Sequence, residues 1–258
     1  MSSLNPEQKD HPLRSSHTPQ AIQRRLDDGP SHTYLRDFVY GAVDGTVTTF
    51  AVVSGVAGAG LSTRIVIILG LTNLIADGFS MAISDYLGTK AESERRDQAR
   101  MEEQTHIALL PDGEREEIRQ ILARKGFSGP DLEQAVNVIT SDLSRWVDMM
   151  IQDEHGLSLT GPNPWKAGLS TFVAFLSVGM IPLAPFLLNW ALPGLIANPF
   201  TWSSAGTAVA FFLIGAAKSR YVARVWYRAG LETLLVGASA AALAYGVGLL
   251  LKGILENG

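Results

Sequence analysis

Long stretches without charge are the feature of this sequence that most limits its fold. Residues 167–217 and 233–251 contain no Asp, Glu, Lys or Arg, and residues 65–84 contain only Asp77. A membrane-spanning helix needs about 20 mostly apolar residues, and each block is long enough for at least one. Residues 90–155, in contrast, are dense in charged side chains. The sequence therefore predicts an all-α polytopic membrane protein that carries a polar insert.

Five transmembrane helices fit the apolar blocks. The stretch "NWALPGLIANPF" separates the third from the fourth. We expect it to form a loop at the membrane interface, with Trp190 and Trp202 as anchors, because Trp favours that depth. The predicted spans cover residues 35–61, 64–87, 165–188, 203–223 and 231–251.

The distribution of Lys and Arg predicts the orientation of these spans. Short cytoplasmic loops carry an excess of basic residues, and three basic clusters fall on one side of a five-span topology. The other side has only Arg64 and Lys252. The N-terminus and the insert are therefore expected in the cytoplasm, and the C-terminus outside. The three clusters are Arg24, Arg25 and Arg36; Lys90, Arg95, Arg96 and Arg100; and Lys218, Arg220, Arg224 and Arg228.

The chain is expected to divide into four parts. Residues 1–33 are polar, lack the apolar core of a signal peptide, and are interpreted as a mostly disordered tail. Residues 34–88 hold spans one and two, residues 89–164 form the insert, and residues 165–258 hold spans three to five. The lack of targeting features in the tail favours a prokaryotic plasma membrane.

The insert is predicted to be a cytoplasmic three-helix unit. Its first helix, residues 92–110, has no turn signal before it and is expected to continue span two. The second, "PDGEREEIRQILARKG", begins with Pro and acidic residues and ends with Lys and Gly, as helices commonly do. The third follows a Ser/Gly/Pro turn in "SGPDLEQAVNVITSDLSRWVDMMIQDEHG".

Ionisable residues inside spans are costly and usually functional. Asp44 is the one charge between residues 38 and 63. Asn73, Asp77, Met81 and Asp85 recur every four residues along one face of span two. Their oxygen donors suit divalent cations, and the thioether of Met81 adds a softer ligand. The alternative is helix–helix packing, which also uses small and polar residues; the glycines of span one are interpreted as packing positions.

Paired metal-ligand side chains also occur in the insert. Each pair lies three or four residues apart on one helix face, and helical bundles build carboxylate metal sites from such pairs. Solvated glutamate faces show the same spacing, and Glu102 and Glu116 fit it as alternatives. The pairs are Glu103 with His106, Glu114 with Glu117, and Met150 with Glu154.

Three segments together resemble the vacuolar iron transporter family. "DFVYGAVDGTVTTFAVVSGVAGAGLS" and "GLTNLIADGFSMAISDYLGTKAESE" are similar to that family's first two spans, and "WVDMMIQDEHGL" to the end of its metal-binding domain. The resemblance covers about residues 35–255. It implies a homodimeric five-span exporter that moves Fe²⁺ and related metals out of the cytosol in exchange for protons.

The resemblance also implies residue roles. Asp44 and Met81 match the translocation-path ligands, with Asp77 and Asn73 beside them. Three positions depart from the family pattern: His106 stands where Glu is usual, Ile151 where a second Met is usual, and Asn73 where some members have a carboxylate. The matching ligands of the cytoplasmic domain are Glu103, His106, Glu114, Glu117, Met150 and Glu154.

The leading hypothesis is a transporter for Fe²⁺, with Mn²⁺, Zn²⁺ and Co²⁺ as further candidate substrates. A membrane-anchored metal buffer or sensor that transports nothing is the second hypothesis. A carboxylate-metal hydrolase ranks last, because no nucleophile–base pairing or phosphate loop is present. With no cysteine in the chain, thiolate metal sites are excluded. We expect neither an organic cofactor nor a nucleic-acid partner. The protein is expected to lie in a lipid bilayer.

Overall fold

A computed structural model of the chain describes residues 13–27, 29, 32–220 and 224–257. These residues form helices joined by turns and short loops, without a strand among them, which confirms the all-α prediction. Two compact units are present, residues 1–33 and residues 34–258. The helices of the described part are α1 Leu13–Ser16, α2 Pro19–Asp27, α3 Leu35–Gly58, α4 Thr63–Leu109, α5 Pro111–Arg124, α6 Gly129–Thr140, α7 Leu143–Asp153, α8 Pro164–Gly179, α9 Ala184–Ala191, α10 Pro199–Lys218 and α11 Trp226–Asn257.

The N-terminal unit is more helical in its described part than sequence analysis expects. The Thr18 hydroxyl accepts a hydrogen bond from the Ala21 N–H at 3.2 Å, which caps the first turn of α2. Pro19 follows at the first helical position, where its missing N–H costs nothing. Residues 1–12, 28, 30 and 31 of the predicted tail lie outside the described residues.

Four helices are long and apolar enough to cross a membrane, and the joined pair α8 and α9 makes a fifth if it counts as one span. That pair is bent by 57° between residues 180 and 183. Pro182 lies in the bend and lacks the N–H that would continue the helix. The predicted third span, residues 165–188, is thus divided into two helices that meet at this bend. The predicted end of span four, residues 221–223, lies outside the described residues.

Helix α3 is the centre of the spans and packs against α4, α8, α10 and α11. Its glycines allow this contact. A Cβ at Gly41 would collide with the backbone of Thr171, and one at Gly45 would lie 2.6 Å from the Phe175 carbonyl oxygen. Gly58 meets α11 in the same way. The packing interpretation of these glycines is confirmed.

Helix α4 continues from the second span into the insert for 47 residues. At 1.5 Å per residue it is about 70 Å long. No Gly–Pro or Pro turn signal interrupts it, and the chain turns only at Leu110–Pro111. A rigid element therefore joins the apolar helices to the charged insert.

The insert has four helical segments, so the three-helix prediction is wrong. The third predicted helix is divided at Ser141 and Asp142 into α6 and α7. The Asp142 side chain accepts a hydrogen bond from the Arg145 N–H at 2.9 Å and caps the new helix. The end of α4, with α5, α6 and α7, surrounds an apolar core that includes Ile118, Val136 and Val147.

Candidate functional site

Two glutamates of the insert occupy positions that the helical period assigns to its core. In the part of α4 that belongs to the insert, the buried positions are Ala99, Glu103 and Ile107, four residues apart. On α5 they are Glu114, Ile118 and Leu122, again four apart. A carboxylate buried among apolar residues is costly unless it gains a partner. These two positions therefore require an explanation beyond packing.

The two buried carboxylates and His106 form one half of a cluster. The Nδ1 atom of His106 lies 3.9 Å from Glu103 Oε1 and 3.7 Å from Glu114 Oε1. Residues Glu103, Glu154 and His155 form the other half, with ligand atoms that also lie within 4.8 Å of one another. Glu103 belongs to both groups and is the centre of the cluster.

Each buried glutamate keeps one oxygen without a hydrogen-bond partner. These atoms are Glu103 Oε2 and Glu114 Oε2, in side chains that are 2% and 8% exposed. Burial, followed by the nearby Glu117 and Glu103, raises the pKa of Glu114 to about 7. Burial, then Glu117 and Glu103, also raises the pKa of Glu154. The carboxylates thus repel one another in the absence of a cation.

Glu117 and Glu154 complete the acidic face of the cluster. Both are exposed at its edge, and Glu117 lies close enough to Glu154 to raise the pKa of that carboxyl. Met150 is fully buried in the apolar core of the insert, where Ile151 is its buried neighbour. Five of the six predicted insert residues therefore bring carboxylate oxygens or an imidazole nitrogen to the cluster. Met150 instead packs in the apolar core of the insert.

The two glutamates that helix spacing leaves as alternatives, Glu102 and Glu116, bond to side chains outside the cluster. Glu102 accepts a hydrogen bond from Gln98 at 2.8 Å on the exposed side of α4. Glu116 is paired with Arg119, which also binds Glu133 at 2.7 Å and joins α5 to α6. These pairs hold the pKa of Glu116 and that of Glu133 below their ordinary values. Glu102 and Glu116 are therefore not members of the cluster.

Sequence analysis missed His155. Its Nε2 atom lies 2.8 Å from Glu103 Oε1, across 52 positions of the chain. A signal was present, because the buried positions Val147 and Ile151 of α7 continue at four-residue spacing to position 155. Pairing residues within single helices does not detect a side chain that lies just beyond the last turn.

The predicted span residues lie on two facing helices. Asp44 on α3 and Asp77 on α4 are close enough to interact electrostatically, and both are half-buried in the single chain. Asn73, one turn before Asp77, has a buried Nδ2 atom without a hydrogen-bond partner. The Thr48 hydroxyl donates to the Asp44 carbonyl oxygen at 2.9 Å, which leaves the carboxylate available.

Met81 lies in a cleft on the same side of α3 and α4. The cleft has a volume of about 350 Å³, and the Thr171 hydroxyl lies 2.6 Å from Asp85 Oδ2. Sequence analysis did not select Asp37, which is seven residues before Asp44 and so on the same helix face. The residues that line the cleft are Arg36, Asp37, Tyr40, Met81, Ser84, Asp85 and Thr171.

Both groups offer donors that suit divalent cations. The insert cluster combines carboxylate oxygens with two imidazoles, a set that binds first-row metals. The span residues combine carboxylates, an amide, hydroxyls and one thioether. Helix α4 contributes Asp77 and Met81 to the spans and Glu103 to the insert, so one element carries candidate ligands at both levels.

Comparison with known proteins gives consistent matches. The model of the VIT family matches residues 35–249. A vacuolar iron transporter of Toxoplasma gondii (strain ATCC 50861 / VEG) is 33% identical over 228 residues, which are 86% of this chain and 76% of the relative. Vacuolar iron transporter 1 of Arabidopsis thaliana is 32% identical over 215 residues, 82% of this chain and 83% of the relative. Vacuolar iron transporter 1 of Eucalyptus grandis is 31% identical over 217 residues, 83% and 84% of the two chains.

Proposed function

The chain belongs to the VIT family, and from this premise we propose that it exports Fe²⁺ from the cytosol in exchange for protons. Mn²⁺, Zn²⁺ and Co²⁺ are further substrates of the same donor set. The observation that carries the proposal is the pair of buried, unpartnered carboxylate oxygens of Glu103 and Glu114, attached to the spans by α4. A cation would supply the partner that these oxygens lack.

The insert collects metal and the spans move it. The insert cluster takes cations from solution because His106, Glu117 and Glu154 are exposed at its edge. Asp44 and Asp77 then form a second station within the apolar helices, with Met81 as a soft ligand one turn away. A half-buried carboxylate that binds either a cation or a proton couples the two flows, because each displaces the other.

Five spans and a cytoplasmic insert give the orientation of this transport. If the bent pair α8 and α9 counts as one span, all three Lys/Arg clusters lie on the same side of the membrane. An excess of Lys and Arg is typical of cytoplasmic loops. The insert then faces the cytosol and the C-terminus lies outside. The relatives are named for a vacuole, whereas the sequence favours a plasma membrane. In either membrane, the proposed transport moves metal out of the cytosol.

A homodimer is the assembly that best suits the polar residues of α4. Ser80 and Ser84 are exposed in the single chain, beside the half-buried Asp77 and Met81. Polar side chains facing lipid within a span are unfavourable. A second copy packed on this face would cover them and would enclose Asp44 of both chains in one path.

Reconstitution tests the proposal against a buffer or sensor that binds metal without moving it. The full chain is placed in liposomes with an acidic interior, and Fe²⁺ uptake is followed without oxygen, together with the internal pH. Transport in exchange for protons predicts that uptake accelerates with the gradient and that the interior becomes more alkaline. Metal binding without uptake would support the buffer or sensor, and uptake without a pH change would exclude proton exchange.

A further inference from the structure

The end of α7 directs two side chains toward Glu103. The N–H groups of Glu154 and His155 both donate to the Met150 carbonyl oxygen, at 3.0 and 3.2 Å. Gly156 follows with φ of +65°, a left-handed conformation that side chains other than glycine rarely adopt. The helix ends at Asp153, and Glu154 and His155 form the turn that follows it. This turn places His155 next to α4, where its side chain contacts Glu103.

Glu103 has a histidine on each side. His155 Nε2 lies 2.8 Å from Glu103 Oε1, and His106 Nδ1 lies 3.9 Å from the same oxygen. The other oxygen, Oε2, is buried and has no partner. Each histidine also has its own glutamate, Glu114 for His106 and Glu154 for His155. The arrangement is that of two sites with one shared carboxylate.

The distances fit direct ligation. Two ligand atoms that are each about 2.1 Å from one cation lie about 3.0 Å apart at right angles and about 3.4 Å apart in a tetrahedral site. The 2.8 Å separation of His155 Nε2 and Glu103 Oε1 is a hydrogen-bond distance, a little shorter than either value. A cation could thus bind both atoms after a small movement, and the unpartnered Oε2 gives Glu103 a second oxygen for a cation.

We propose that His155 is a metal ligand of the insert, and that His106 and His155 on either side of Glu103 give this chain a preference for cations that accept nitrogen. Imidazole suits Zn²⁺ and Fe²⁺, whereas all-oxygen sites suit Mn²⁺ and Mg²⁺. His155 is thus a specificity-determining residue of the collecting site. The inference rests on the proposed function, since it needs the insert to bind the transported metal.

Competitive titration of the full-length protein with Zn²⁺ and Mn²⁺ tests this assignment. His155→Gln keeps a hydrogen-bond donor for Glu103 but removes the imidazole. We expect Zn²⁺ affinity to fall by roughly tenfold or more, the cost usual for altered metal sites, and Mn²⁺ affinity to change much less. His155→Glu supplies an oxygen ligand and should keep or raise Mn²⁺ affinity without restoring the preference for Zn²⁺. His32→Gln, an exposed histidine of the N-terminal unit, is the matched control.

X-ray absorption of the Zn²⁺-loaded protein gives a readout that a purely positioning role would not change. Ligation predicts fewer imidazole nitrogens per Zn²⁺ in both His155 variants. An unchanged imidazole count and an unchanged Zn²⁺-to-Mn²⁺ ratio, in a protein that still binds and transports metal, would overturn this inference alone. Failure of the unaltered protein to bind divalent metal would overturn the proposed function together with it.

Discussion

Gly45 of α3 lies directly against the backbone of Phe175 in α8. A Cβ at position 45 would be 2.6 Å from the Phe175 carbonyl oxygen, closer than real Cβ atoms approach. One turn further along α8, a Cβ at Gly179 would lie 2.9 Å from the carbonyl oxygen of the same Gly45. This close crossing fixes Asp44, the neighbour of Gly45, relative to α8 and α4.

Gly45→Ala is therefore expected to lower the thermal stability of the purified protein. Backbone must move to admit the methyl group, and such overpacking costs about 1–3 kcal/mol. Gly88→Ala is the matched control, because a Cβ at this helical position meets nothing within 4 Å. That change should leave stability unchanged or raise it slightly, since Ala favours helix more than Gly does. Equal melting temperatures in detergent for both variants would contradict the close crossing.

Asp44→Asn is expected to abolish metal flux in liposomes while the protein remains folded. The amide keeps the size of the side chain but can neither carry the negative charge nor exchange a proton. Metal binding at the insert should persist, because Glu103 and Glu114 belong to a different part of the molecule. Asp97→Asn, at an exposed carboxylate on α4 beyond the span, should retain flux. Near-normal transport by Asp44→Asn would exclude it from the path.

Met81→Leu should alter the choice among metals more than the amount of folded protein. Leucine fills a similar volume, so packing against the core of the spans is kept while the soft sulfur ligand is lost. Flux of Zn²⁺ and Co²⁺ relative to Mn²⁺ should fall, on the order of several-fold. The control is Met101→Leu, an exposed position on α4. If the flux ratios of the two variants agree, Met81 acts through packing alone.

Much of the fold could be predicted because its signals are local. Charge-free blocks of about 20 residues locate the spans, and the absence of a turn signal predicts the continuous α4. The break at Asp142 was missed because it contains neither Gly nor Pro and depends on a single side-chain cap. The bend at Pro182 was missed because a straight helix and a broken helix can have the same apolar composition.

The insert cluster was predictable only in part, for a physical reason. Helix spacing finds pairs such as Glu114 and Glu117 within one helix, but it cannot choose between Glu116 and Glu117 until the apolar stripe of α5 is placed against the core. In the structure Glu116 pairs with Arg119, which leaves Glu117 as the residue of α5 at the edge of the cluster. The spacing of Val147 and Ile151 points to position 155, but the partner of His155 is set by a tertiary contact across 52 positions that spacing within one helix does not identify.

Metal binding to the insert should weaken as pH falls from 8 to 6. Burial, with Glu117 and Glu103 nearby, raises the pKa of Glu114 to about 7, and a cation must displace this proton to bind. The ionised fraction then drops about tenfold between pH 8 and pH 6, and apparent affinity drops with it. Titration of the full-length protein at several pH values measures this. Glu114→Gln should bind more weakly at pH 8 and show a flatter profile; an equally steep profile would show that Glu114 is not the titrating group.

Replacing Glu114 and Glu117 together by Ala should remove most metal binding at the insert. Replacing Glu102 and Glu116 together is the matched control, because each lies one residue from a cluster glutamate on the same helix and bonds instead to Gln98 or Arg119. Both double variants remove two carboxylates and change net charge equally. Calorimetric titration should therefore distinguish a specific site from a diffuse acidic surface, which predicts equal losses in the two variants.

The same pair of variants separates collection from translocation. Because transport is assigned to Asp44 and Met81, the Glu114/Glu117 variant should keep part of its maximal flux in liposomes but need a higher external metal concentration to reach it. The Glu102/Glu116 variant should match the unaltered protein at every concentration. Complete loss of flux at saturating metal, in a Glu114/Glu117 variant that elutes and melts normally, would mean that every cation must pass through the insert cluster. The long α4 would then link two obligatory stations of one path.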